Sequence, residues 1–476
     1  MPIRVYNTLS RTLEPLETQV PGKVGLYVCG MTVYDYSHIG HARAMMAFDV
    51  VVRHLRHRGL EVRFVRNHTD VDDKIIRRAK EQGVDPLALS QRFIHALEED
   101  LDGLGMVRPT VEPRVSTHIG DIVSLIDALV RGGHAYRADN GDVYFSVESF
   151  PEYGKLSGKK IEDLRAGERV AVEENKRHPG DFALWKAWTG DDAEPRWESP
   201  WGPGRPGWHI ECSAMARRHL GDTFDVHGGG IDLVFPHHEN EIAQSECGTG
   251  HAPMARYWMH NGHLTMGEKM SKSLGNVVQI REILAQVPAE ALRLFYLGTH
   301  YRSPLPWSTD QLVESLKALD RLYTAKETAV EAGGDVPVEQ LGDAAREAHA
   351  LAVAFPARFD AALDEDFNAA EAVGAFFELV RAVNRFGNDK KQRAKGARAM
   401  APVLAAFDLV GEVLGVGAMA PAAFFDEVKT KRLAAAGRSV AEVDAILAER
   451  TAARAGKDWD RADVIRRTLD EQGIIV

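Results

Sequence analysis

The chain has 476 residues, 45% hydrophobic and 27% charged, which is ordinary for a globular protein of about three domains. No apolar run approaches the roughly 18 residues of a membrane helix, and the opening MPIRVYNTLSRTLEP has no secretory apolar stretch. Three cysteines (Cys29, Cys212, Cys247) exclude a disulfide scaffold and suit a reducing compartment, and a formal charge of −11 removes any general basic attraction to nucleic acid without excluding a local basic face.

In chain order, VGLYVCG is an apolar run punctuated by glycine and reads as a buried strand. HARAMMAFDVVVRHLRHRG has helical spacing and stops at glycine, EVRFVRN is a second strand, and VDDKIIRRAKEQG a second helix. Strand–helix–strand implies a parallel sheet with right-handed crossovers, so the loops after Val28 and Arg66 should line a binding edge. From about Pro109 to Gly207 the texture changes: DVYFSVESF reads as an antiparallel or edge strand, and SPWGPGRPGW as a Pro/Gly-dense loop. The sheet pattern resumes at DTFDVHGGGIDLVF. From Ser308 onward the chain is nearly all helix-forming, with an Ala/Pro-rich break near residues 416–423. The expected organisation is α/β: a parallel-sheet domain in two halves (1–108 and 208–307) around an insertion (109–207), a helical bundle (308–418) and a small helical C-terminal module (419–476).

Three constellations could carry chemistry. His38 and His41 share one face at the start of a helix, and Gly40 leaves room for close approach. Two imidazoles at a helix N-terminus suit a phosphoryl group that is gaining charge, although a capped helix with two surface histidines has the same spacing. Lys269-Met270-Ser271-Lys272-Ser273 after the strand-like GHLTM suits either a lid over a polyphosphate or a solvated basic turn. His237 and Glu241 stand four apart, on one helical face if Pro236 starts a helix. With Cys29 and Cys212 they make a plausible tetrahedral zinc set, the alternative being two small buried cysteines. Cys247 lacks a companion ligand. His227-Gly228-Gly229-Gly230-Ile231-Asp232 offers close backbone approach and a carboxylate for a ribose hydroxyl, or else a tight turn. In Asn67-His68-Thr69-Asp70, Thr69 or Asp70 could cap a helix.

Taken together and in this order, these motifs are specific. His38-Ile39-Gly40-His41 followed by Lys269-Met270-Ser271-Lys272-Ser273 resembles the signature pair of class I aminoacyl-tRNA synthetases, unsubstituted in either motif. CGMTVYDYSHIGHAR, NHTDVDDKII, GDVYFSVESFPEYGKLSG, PGWHIECSAM and FDVHGGGIDLVFPHHENEIAQSE are similar to cysteinyl-tRNA synthetases, as is the helical AALDEDFNAAEAV. The resemblance implies a Rossmann-like catalytic domain, a helical bundle on the anticodon side, and a two-step reaction: cysteine and ATP give cysteinyl-adenylate and pyrophosphate, then cysteine passes to the tRNA 3′ end. It implies one Zn²⁺ per chain on Cys29, Cys212, His237 and Glu241, and catalysis by His38, His41, Lys269 and Lys272. ATP, with Mg²⁺, would lie against His38, Gly40, His41, Gly229, Asp232 and Lys272; cysteine would lie against Gly30, Thr69 and Trp208. The implied partners are tRNA(Cys), L-cysteine and ATP, for a cytoplasmic monomer without membrane attachment.

The sequence departs from the family in one respect. The family's last module runs on into a short basic tail with tryptophan, whereas this one stops at Gly473-Ile474-Ile475-Val476, so anticodon contact would lack that tail. A cysteine ligase acting on an amino-sugar shares the zinc set but lacks most of the helical region present here after Ser308. A zinc hydrolase with Glu211 or Glu239 as base leaves the lysines and paired histidines unexplained, and four protein ligands would close the metal to water. A non-catalytic RNA-binding relative should have lost His38, His41 or Lys272.

Overall fold

The structure, a computed structural model, describes residues 2–159, 175–265 and 278–471. The apolar run KVGLYV forms β1 (Lys23–Val28), and the chain returns through α1 (Ile39–His57) to β2 (Glu61–Arg66). After the insertion come α2 (Trp208–Leu220), β3 (Phe224–Gly230), α3 (Glu239–Thr249) and β4 (Ala255–Asn261). The four strands form one parallel sheet in the order β4–β3–β1–β2. From β1 the chain moves outward to β2, and from β3 outward the other way to β4. The order therefore reverses between β1 and β3, and a crevice opens there at the strands' carboxyl ends.

The insertion contains the helix Ile119–Arg131 and a four-stranded antiparallel sheet of Ala135–Arg137, Val143–Phe145, Phe182–Ala187 and Gly204–Pro206. The helix Asp73–Gln82 is capped by Asp72, whose carboxylate accepts from the Lys74 amide, rather than by Thr69 or Asp70. Asp70 instead accepts the Ser116 amide at 3.0 Å. Beyond the sheet domain, α4 (Thr309–Val330), α5 (Asp343–Asp364), α6 (Ala369–Gly387) and α7 (Ala397–Leu414) form the bundle. Three helices follow: α8 (Pro421–Ala435), α9 (Val440–Ala455) and α10 (Trp459–Glu471). No described helix is long and apolar enough to cross a membrane.

One apolar core runs from Ile39, Met46 and Val50 of α1, through Ile280 and Leu292, into Phe355, Phe376 and Phe407 of the bundle and on to Phe424 of α8. The buried Arg293 adds a polar fastening: it meets Asp49 of α1 at 2.6 Å and donates to the carbonyls of Leu414 (2.7 and 3.0 Å) and Leu104 (3.1 Å). α1 is thus seated on both the sheet and the bundle.

Candidate active site

A cleft of about 430 Å³ opens at the switch between β1 and β3. Its lining includes Gly30 after β1, His38, Gly40 and His41 at the start of α1, Gly229 near the end of β3 and Asp232 beyond it, and Asn261–Leu264 at and beyond the end of β4. Several of these positions demand glycine, Gly30 and Gly229 among them. A Cβ on Gly30 would lie 1.6 Å from the Asn67 carbonyl oxygen, and one on Gly229 would lie 2.9 Å from His238. The close approach at Gly30 fastens the loops after β1 and β2, because its amide donates to Asn67 Oδ1 at 2.8 Å.

α1 starts with an unusual cap made of two imidazoles. His38 Nδ1 accepts the amides of Gly40 (3.1 Å) and His41 (3.3 Å), while His41 Nδ1 accepts the amide of His38 (3.3 Å). The rings stack at 3.5 Å. With both Nδ1 atoms engaged as acceptors, the N–H is assigned to Nε2 in each ring, and both residues line the cleft.

Beneath the cleft, four donor atoms converge from elements far apart in sequence: Cys29 after β1, Cys212 on α2, His237 before α3 and Glu241 on it. All lie within 4.8 Å of one another. Cys29 Sγ is 3.6 Å from Cys212 Sγ and 3.4 Å from Glu241 Oε1, and His237 Nε2 is 3.1 Å from Glu241 Oε1. Tetrahedral zinc with bonds of about 2.0–2.3 Å has ligand–ligand edges of about 3.3–3.8 Å, so the residues fit such an ion. After the extended Phe235 (φ −142°), the backbone is helical from Pro236 onward, through a wide turn at His237–His238 into the regular helix α3 at Glu239. His237 and Glu241, four apart, therefore meet on one helical face.

The charges within this cluster are mutually supported. The hydrogen bond from Cys29 lowers the Cys212 thiol to about 6 against its burial, with further help from His237, while burial pushes Cys29 well up. Burial opposes the charged form of His237, yet Glu241 and Cys212 raise it to about 10. Burial likewise opposes the Glu241 carboxylate, which His227 and His237 hold down at about 2. Sulfurs, an imidazole and a carboxylate that share protons in this way are donors whose protons a cation would displace.

Around the four donors lies a shell that sequence reading missed. His227 Nε2 is 2.9 Å from Glu241 Oε2 and stacks on Trp258, His209 Nδ1 is 3.1 Å from His237 Nδ1, and His238 Nδ1 is 2.8 Å from His260. His227 and His238 also make a second four-donor group with Cys29 and Glu241. Both stand in motifs quoted above, but no sequence spacing links them to the donors they meet.

The remaining expected positions fall in three places. Trp208 stacks on His237 at 4.3 Å and is 41% exposed, so it covers the donor cluster rather than lining the cleft. Thr69 is buried behind the wall: its backbone pairs with Met31 and Val33, and its hydroxyl accepts from Asn67. Asp232 sits exposed at the rim, 3.9 Å from His263. Lys269 and Lys272 lie outside the described residues. Cys247 belongs to none of the candidate donor groups found among the described residues, and burial raises its thiol to about 12. A third group, His68 with Glu98 and Glu112, is already compensated, since Arg66 meets Glu112 at 2.9 Å and Arg108 lies 3.7–3.9 Å from both carboxylates.

Comparison with known proteins places these features in a family context. Residues 15–317 match the family described as tRNA synthetases class I (C) catalytic domain, residues 358–419 the DALR domain, and residues 439–476 the cysteinyl-tRNA ligase anticodon binding domain. The last of these matches covers the helices α9 and α10. The cysteine–tRNA ligase of Alkalilimnicola ehrlichii is 53% identical over 100% of this chain and 97% of its own length. That of Geobacter sulfurreducens is 51% identical over 100% and 98%. In fold, the chain is similar to Mycobacterium tuberculosis methionyl-tRNA synthetase bound by methionyl-adenylate, with a TM-score of 0.64 and 15% identity over 83% of this chain and 92% of that one.

Proposed function

The chain belongs to the cysteine–tRNA ligase family of class I aminoacyl-tRNA synthetases, and we propose that its buried thiolate cluster is a zinc site that selects cysteine. The enzyme aminoacylates tRNA with cysteine, using ATP.

The cleft supports a division of labour. ATP, accompanied by Mg²⁺, lies between His38, Gly40 and His41 on one side and Gly229 and Asp232 on the other, and Lys269 and Lys272 have the role of neutralising its phosphates. The cysteine carboxylate attacks the α-phosphorus and pyrophosphate leaves; the tRNA 3′-terminal hydroxyl then attacks the carbonyl and AMP leaves. No protein nucleophile is needed, so the chain's task is to orient two substrates and stabilise phosphoryl charge. The two Nε2 donors of the histidine cap stand where that charge develops.

Selectivity is the harder demand, because an apolar pocket rejects an isosteric hydroxyl by only about a hundredfold. Zinc held by Cys29, Cys212, His237 and Glu241 would supply a thiophilic centre that prefers the substrate thiol to the serine hydroxyl. Gly30 and Thr69 shape the approach to it, and Trp208 holds the His237 ring in place. The reading extends to a cytoplasmic monomer specific for tRNA(Cys), with residues 1–108 and 208–307 as the catalytic domain, 109–207 as its insertion, and 308–418 and 419–476 as the tRNA side.

The observation that carries the zinc assignment is the convergence of two sulfurs, an imidazole and a carboxylate within 4.8 Å. The test is zinc quantified in purified wild-type and Cys212→Ser protein, beside the cysteine-over-serine ratio. Near one zinc per wild-type chain, with loss of both metal and discrimination in the variant, is expected. Unchanged zinc and selectivity would remove Cys212 from the site.

A further inference from the structure

We propose that the acidic turn Asp364–Glu365–Asp366, between α5 and α6, is a positioning device for the nucleotide cleft, with Asp366 as its central residue. The turn is built against backbone preference. Asp366 (φ 57°) and Phe367 (φ 52°) are consecutive non-glycine residues in the left-handed region, which persists only where the surroundings over-determine it. This backbone aims both side chains from the bundle into the sheet domain. Phe367 is buried in the core that contains Phe48 and Val52 of α1 and Tyr301, edge-on to His54. Asp366 Oδ1 accepts the Tyr6 amide (2.9 Å) and the Tyr301 hydroxyl (2.9 Å), and Oδ2 accepts Arg302 Nε at 2.6 Å. Glu365 holds Arg4 at 3.0 Å, and Asp364 holds His54 at 2.9 Å and Arg58 at 3.3 Å.

The gripped segments carry the cleft's two walls. The Tyr301 carbonyl accepts the amide of Gly262, a cleft residue packed so tightly that a Cβ would lie 2.5 Å from the Ser303 carbonyl. On the facing wall, Arg43 stands two residues after His41 and donates to the carbonyls of Tyr296 (2.8 Å), His300 (2.9 Å) and Tyr301 (3.3 Å). α1 and the end of β4 are therefore both referenced to the segment that Asp366 holds. The four sulfur, nitrogen and oxygen donors hang on β1, α2 and α3, none of which Asp366 touches. Disturbing Asp366 shifts the nucleotide walls and spares the thiol end.

The proposal rests on the nucleotide occupying this cleft. ATP–pyrophosphate exchange is measured on Asp366→Ala, Asp366→Asn and Tyr301→Phe, with His41→Ala as the control for the cleft itself. Asp366→Ala should raise KM for ATP and lower kcat by roughly tenfold, as sub-ångström misplacement does, with KM for cysteine and bound metal unchanged. Asp366→Asn should recover part of the loss, since it keeps an acceptor for Tyr6 and Tyr301. Tyr301→Phe should give a milder version in a folded protein. A lowered unfolding midpoint with wild-type KM and kcat overturns the proposal, read from Tyr301→Phe if Asp366→Ala does not fold. If His41→Ala also leaves KM for ATP unchanged, the cleft assignment itself falls, and this proposal with it.

Discussion

His68 shows how much a single position can depend on its surroundings. It is buried at the end of β2, burial favours its neutral form, and the guanidiniums of Arg66, Arg114 and Arg108 add to that, lowering it to about 3. Its folded value lies below the ordinary 6.5, so below pH 6.5 the unfolded chain takes a proton that the native state refuses. The stability involved is fully present above pH 6.5 and is lost progressively as pH falls toward 3. Unfolding free energies from urea titrations at pH 7 and pH 5 should therefore differ by about 1–2 kcal/mol more in wild type than in His68→Leu, which removes the titration. Identical pH dependence in the two proteins would show that His68 is not the group responsible. The same scale explains what was legible in the sequence. Cys29, Cys212, His237 and Glu241 stand in recognisable motifs, whereas His209, His227, His238 and His260 gather only when two strands and two helix starts are brought together, a pattern with no local spacing.

At the scale of elements, α1 joins structure to chemistry. Its N-terminus is capped by the same two imidazoles that face the cleft, so cap and chemistry are mixed in any alanine variant. His38→Asn separates them, because asparagine is as good an N-cap as any residue. The expected outcome is a melting curve close to wild type with exchange activity reduced about a hundredfold or more, the usual consequence of removing one preorganised donor. Wild-type exchange in that variant would leave His38 with a structural role only. The helix and the strands around it were legible because their apolar periods are long. The start of α3 was legible too, since Pro236 opens the helical backbone after the extended Phe235; only the wide turn before the regular helix at Glu239 has no sequence signal.

Across the whole molecule, the bundle is not an appendage to the sheet domain. The core shared by α1, the 280–297 helices and α4–α8 means that a chain cut near Ser308 would expose apolar residues of both halves, a coupling invisible in the run of helical periods. Arg293 is its polar counterpart, a fully buried guanidinium held by Asp49 and by two carbonyls from different segments. Arg293→Ala leaves the buried Asp49 with only Arg53 (2.9 Å) and the Val107 amide as partners and should cost about 2–3 kcal/mol in urea unfolding. A loss below about 1 kcal/mol would mean that the pair contributes no more than a surface one.

The central claim is that this cleft activates cysteine and refuses serine through a metal-bound thiol. Cysteine-dependent ATP–pyrophosphate exchange, with serine as the control and zinc quantified in the same sample, tests it most directly. Exchange with cysteine alone, from protein carrying about one zinc per chain, is the predicted result. Folded, zinc-loaded protein that exchanges with neither amino acid, or equally with both, would contradict the account.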